Sequence, residues 1–104
     1  MAKFVLAYQG GGMPETEAEQ QAVMEAWMGW FGELGASVVD GGNPFAASKV
    51  IAADGSVRDG GTAKLTGYSI VDAASLDDAV TKAKGCPVLA SGGSIDVYET
   101  MDVG

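Results

Sequence analysis

Residues Thr16–Gly35 read TEAEQQAVMEAWMGWFGELG, and this stretch decides the fold. It opens on a Thr-x-x-Glu capping box, in which the Thr16 hydroxyl accepts the amide of Glu19 while the Glu19 carboxylate reaches back over the first turn. Val23, Trp27, Trp30 and Leu34 follow at helical spacing and line one face, and Gly35 supplies the stop. The pattern therefore predicts a helix from Thr16 to Gly35. Met24, Met28 and Phe31 widen the apolar surface to an arc of about 200 degrees, where roughly 100 degrees suffices for packing on one sheet. The excess either packs against a second helix or a partner, or walls a cavity between helix and sheet.

Working outward, Phe4, Leu6 and Tyr8 alternate with Val5, Ala7 and Gln9 ahead of Gly10-Gly11-Gly12, which predicts a first strand. Past the helix, ASVVD reads as a short second strand ending near Asp40, and GGNPF as a turn. Lys49–Ala53 and Ser56–Arg58, split by Asp54-Gly55, predict a hairpin with a two-residue loop. LTGYSIV (65–71) is a core strand, with Tyr68 and Ile70 on one face and Ser69 and Val71 on the other, and Tyr8 is placed on the face of Tyr68. Ser75-Leu76-Asp77-Asp78 caps a second helix that Gly85 ends, and SIDVYE (94–99) is the last strand.

The order is a βαββαβ plan with an inserted hairpin: an α+β domain spanning 1–104, with a ferredoxin-like antiparallel sheet and two helices on one face. The other face needs a cover, and a second copy of the same sheet is the simplest one.

Composition narrows the function. The 104 residues include 14 acidic and 6 basic side chains and no histidine, for a net charge of -8. No basic run offers the footprint that phosphate backbones require, so nucleic acid is not the expected partner. No apolar run is long enough for a signal peptide or a membrane span, and the single Cys86 cannot form an internal disulfide; a soluble, cytoplasmic protein is expected. Without histidine and with one thiol, the usual His and Cys metal sites are excluded, and no metal or other cofactor is expected. Gly10–Gly12 lacks the Lys-Ser/Thr of a phosphate loop.

The motifs W..WF..LG.....GG.P (27–44), DGG.....GYSIVDA.SLDDA...A..CP (59–87) and IDVYE (95–99), in that order, resemble the YCII-related (DGPF) domain family. The resemblance covers nearly the whole chain and implies a dimeric α+β barrel, a homodimer through the sheet face. Asp59-Gly60-Gly61 stands where the family has Asp-Gly-Pro-Phe, so only Asp59 and Gly60 carry over. In the branch proposed to be catalytic, a histidine lies about three turns before the helix-ending glycine. Here that position is Met24.

Against this background the tryptophans and their flank (Met24, Trp27, Trp30, Phe31), with Tyr8, Asn43 and Tyr68, are the candidate ligand-binding residues for a small apolar or aromatic molecule. Asp40 is a candidate general base if desolvated, or a turn residue binding nearby amides. Asp59 likewise either fixes a loop over the pocket or is a turn aspartate. The alternatives to ligand binding are a cofactor-independent isomerase, lyase or dehydrohalogenase using Asp40 or Asp59, and a non-catalytic interaction domain accompanying a regulator. Lys64 could meet an anionic ligand but reads as a solvated loop lysine. Cys86 lacks positive surroundings and reads as structural.

Overall fold

A computed structural model of the chain describes residues 1–11, 14–60 and 64–103. Gly12 of the first glycine run and Gly61 of the Asp-Gly-Gly motif lie outside the described residues.

Strand β1 (Ala2–Gln9) leads to helix α1 (Glu17–Leu34), whose ends fall where the sequence sets them. Thr16 Oγ1 accepts the Glu19 amide at 3.1 Å, and Glu19 Oε2 accepts the amide of Glu15, closing the capping box one residue further out than the usual pairing. Gly35 takes a left-handed φ of 55° and its N–H returns to the Phe31 carbonyl. A short 3-10 turn over Gly35–Ser37 then leads into β2 (Val38–Asp40).

The hairpin follows as β3 (Lys49–Ile51) and β4 (Val57–Asp59). Its loop is longer than the two residues the sequence suggested. Ala52 N–H donates to the Ser56 carbonyl and Gly55 N–H to the Ala52 carbonyl, so Ala53-Asp54-Gly55 form a three-residue loop with Gly55 at φ 89°. That is a type I turn closed by a left-handed residue.

β5 (Leu65–Ala73) precedes α2 (Leu76–Ala83), which carries a second reciprocal cap: Ser75 Oγ accepts the Asp78 amide, and Asp78 Oδ2 accepts the Ala74 amide. The Lys82 ammonium beside it holds the Asp78 carboxyl below the usual carboxylate range. A four-residue helix not foreseen in the sequence, α3 (Pro87–Ala90), starts with its proline in the first turn, where a missing N–H costs nothing. β6 (Ser94–Glu99) ends the sheet.

The four-stranded sheet has the order β2-β5-β1-β6, with every neighbouring pair antiparallel, and β3-β4 form a separate two-stranded sheet. Phe4, Leu6, Val71, Ser69 and Ala73 are fully buried under Trp30, Ala79, Ala83, Cys86 and Val88, so the helices cover one face of the sheet. Val5, Tyr68, Ile70 and Tyr98 alternate onto the other face. Register corrects one expectation here. Tyr8 pairs with Gly67 and Tyr68 with Ala7, and residues directly opposite share a face, so the two tyrosine rings lie on opposite sides of the sheet. No helix among the described residues is long and apolar enough to cross a membrane.

Candidate functional site

α1 meets different neighbours along its length. Trp30 is only 4% exposed, its indole N–H donates to the Lys82 carbonyl at 3.1 Å, and its ring lies over Gly85. Gly85 does not adopt a left-handed conformation. It is glycine-sized because a Cβ there would stand 3.1 Å from Trp30 Cδ1. One turn earlier the helix is open: Trp27 is half-buried, while Met24 and Met28 are 65% and 70% exposed.

Between that part of α1 and the sheet lies a cavity of about 550 Å³. Met24, Trp27, Met28 and Phe31 form its helix wall, Tyr8, Thr66, Gly67 and Tyr68 its sheet wall, and Gly41–Pro44 with Val88 close the ends. The aromatic groups brace each other. Tyr8 meets Trp27 edge to face at 5.3 Å and 74°, and Trp27 meets Phe31 at 5.8 Å.

The sheet wall is set back by two glycines. A Cβ on Gly42, which has φ 76°, would collide with the Tyr68 carbonyl oxygen, and one on Gly67 would stand 3.2 Å from the Asn43 carbonyl oxygen. The loop after β2 thus runs in contact with β5, and Gly41, which lies beneath Phe31, puts no side chain into the space. A hydrogen-bonded chain holds the same loop in place. Tyr8 OH donates to Ser69 Oγ at 2.7 Å, and Ser69 Oγ donates to the Gly41 carbonyl at 2.7 Å. Burial pushes the Tyr8 hydroxyl well above its ordinary pKa, against the opposing pull of the Ser69 hydrogen bond, and Cys86 beside it adds to the rise. Burial likewise pushes the Cys86 thiol up to about 11. Both groups are therefore neutral at physiological pH, and neither is poised as a nucleophile.

The structure gathers Tyr8, Met24, Trp27, Phe31, Asn43 and Tyr68 around this one space. Trp30 is not among the lining residues, because the packing against Gly85 and Lys82 turns it into core. Tyr68 borders the cavity, yet its ring stacks on Phe45 at 5.7 Å and 19°, on the sheet face away from α1. The two aspartates are placed as turn and hairpin residues. Asp40 is exposed and its Oδ1 accepts the Gly42 amide at 2.8 Å. Asp59 sits on β4, ion-paired to Lys49 at 2.7 Å with both side chains exposed, and does not line the cavity. Lys64 is exposed and does not line it either.

Thr66, Gly67 and Val88 also line the cavity, beyond the candidates legible in the sequence. Thr66 and Gly67 belong to a strand whose pattern gives alternation but not which face meets the helix. Val88 sits on a helix too short to show periodicity. The chain matches no family model and no curated protein.

Proposed function

We propose that this chain is a small-molecule-binding domain whose ligand is an apolar or aromatic molecule held between α1 and the sheet. The observation that carries this reading is a cavity of about 550 Å³ walled by rings and thioethers with, among the described residues, no Asp, Glu, Lys or Arg in its lining. Ligand sites typically occupy roughly 300–1,000 Å³, are mostly apolar and have a few polar groups that orient the ligand. Asn43 supplies such a group. The same lining weighs against acid/base catalysis, because among the described residues no carboxylate lines the space and the two candidate aspartates are engaged elsewhere.

The fold proposed with it is ferredoxin-like, of the YCII-related type. The strand order β2-β5-β1-β6, the antiparallel pairing and the helices on one face all support that assignment. Met24, at the position of that family's helix histidine, lines the cavity, which is consistent with a ligand site whose usual acid/base group is replaced by a thioether. Homodimerisation through the open sheet face is part of the proposal. It would cover Val5, Tyr68, Ile70 and Tyr98.

Titration with uncharged phenyl and cyclohexyl compounds, followed by tryptophan fluorescence, tests the ligand reading. A saturable change is expected in the native protein and in Trp30→Phe, and its loss in Trp27→Phe, which removes the reporter on the cavity wall. The absence of any saturable response, together with a crystal structure in which Met24 and Met28 fill the space, would sink the reading. Sedimentation tests the dimer: a monomer at every concentration up to the millimolar range contradicts it.

A further inference from the structure

The charge of the molecule is distributed unevenly around the cavity. α1, which forms one wall, carries Glu17, Glu19, Glu25 and Glu33 and no basic residue. Asp40 is exposed next to Gly41 at the cavity's edge. The basic residues are elsewhere. Lys49 and Arg58 are on the hairpin, the first held by Asp59 at 2.7 Å; Lys82 and Lys84 are at the end of α2, the first held by Asp78 at 2.6 Å. Lys3 is at the start of β1, five residues and so about 17 Å along the strand from Tyr8. Lys64 is the nearest cation in sequence to a lining residue, and it is exposed outside the lining.

Several hydrogen-bond donors around the cavity are also engaged. The Tyr8 hydroxyl donates to Ser69, the Thr66 hydroxyl to the carbonyls of Tyr8 and Gly10 at 3.3 Å each, and the Gly42 amide to Asp40. An anion entering this space would give up its hydration without a cation in the lining to replace it, which is the costly way to bury a charge. It would also approach against the field of a chain with net charge -8. A cation meets the opposite conditions. The negative field draws it in, and indole and phenyl rings attract it at close range, indole most strongly.

Resting on the reading of this cavity as a ligand site, we infer that it selects by charge. It takes a planar ring that is neutral or carries an ammonium group at the mouth, and it rejects the same ring bearing a carboxylate, sulfonate or phosphate. The ring occupies the space between Trp27, Phe31 and Tyr8, and the cationic group stays at the rim beside Asp40.

The test is calorimetric titration of the native protein with three matched probes: naphthylmethanol, naphthylmethylammonium and naphthoate. The alcohol and the ammonium should bind, and the carboxylate should bind at least about tenfold more weakly, a difference of about 1.4 kcal/mol. Raising the salt concentration should weaken the ammonium and leave the alcohol unchanged. Naphthoate binding as tightly as the alcohol overturns charge selection while leaving the ligand site standing. No binding by any of the three overturns both. A second variant separates charge from shape: Met28→Lys adds an ammonium to the wall at an exposed helix position, so the fold is retained. Naphthoate should then gain at least about tenfold over its affinity for the native protein. If it gains nothing while circular dichroism is unchanged, charge is not what excluded it and the proposal falls.

Discussion

Trp27 and Trp30 lie one turn apart on α1 and meet different neighbours. Trp30 has α2 and the segment after it: a glycine that lets its ring lie close, a carbonyl for its N–H, and Ala79 and Ala83 in the same buried cluster. Trp27 has Tyr8 and Phe31 at its edges and a cavity beyond them. The helix supplies the same residue to both places. What differs is the facing element. Opposite Trp30 the chain offers backbone and alanine at close range, whereas opposite Trp27 the loop after β2 is tied down onto β5 by Gly42, Gly67 and Ser69 and leaves space in front of it. An apolar stripe on a helix therefore becomes core or cavity according to what its counterpart can reach.

The comparison breaks most visibly at the tryptophans themselves. Trp30→Ala should destabilise the protein by about 3–5 kcal/mol, the range for deleting a large buried aromatic. Trp27→Ala should cost only about 1–2 kcal/mol, since the ring is half-buried and already borders empty space. Urea denaturation of the two variants checks the ordering. Equal losses would mean that the space beside Trp27 is filled in solution.

A smaller effect is expected where the two regions meet, in the chain from Tyr8 through Ser69 to Gly41. Ser69 is fully buried. Ser69→Ala leaves the Tyr8 hydroxyl without its acceptor and the Gly41 carbonyl without its donor, so a loss of about 2 kcal/mol is expected. Tyr8→Phe removes one bond but leaves Ser69 Oγ donating to Gly41, and should cost less than about 1 kcal/mol. The double variant should be milder than the sum, because each change removes the other's stranded partner. Ser69→Ala should also weaken ligand binding, since the loop at Gly41 and Gly42 loses its tether. Unchanged ligand affinity in a folded Ser69→Ala protein would show that the loop is held by its backbone contacts alone.

These contrasts also explain what was legible in the sequence. The bounds of α1 were readable because capping chemistry is local: Thr16, Glu19 and Gly35 act within one turn of themselves. The helix half of the cavity wall was readable for the same reason, since helical spacing alone puts Met24, Trp27, Met28 and Phe31 near one another. The sheet half was not. Whether Tyr8 and Tyr68 share a face depends on a register between segments 60 residues apart, and an offset of one residue separates them. Nor could the tryptophans be told apart, because the glycine that buries Trp30 lies on another element. Asp40 shows the reach of a local signal: an aspartate before two glycines is exposed and accepts the Gly42 amide.

The finest test uses one substitution at three glycines. Gly85→Ala puts a methyl 3.1 Å from Trp30 Cδ1 and 3.2 Å from its Nε1, and that ring cannot retreat without breaking its bond to the Lys82 carbonyl. A loss of about 1 kcal/mol is expected there. Gly29 and Gly32 lie inside α1 with nothing within 4 Å of a built Cβ, so Gly29→Ala and Gly32→Ala should each stabilise by about 0.5–1 kcal/mol through helix propensity. Thermal melts of the three variants should therefore split in sign, with Gly85 moving down and the helix glycines up. A loss at Gly29 or Gly32 comparable to that at Gly85 would mean that a second surface lies against that flank of α1 in solution. The exposed side of the helix would then be the interface, and the open sheet face would no longer be the sole place for a partner to dock.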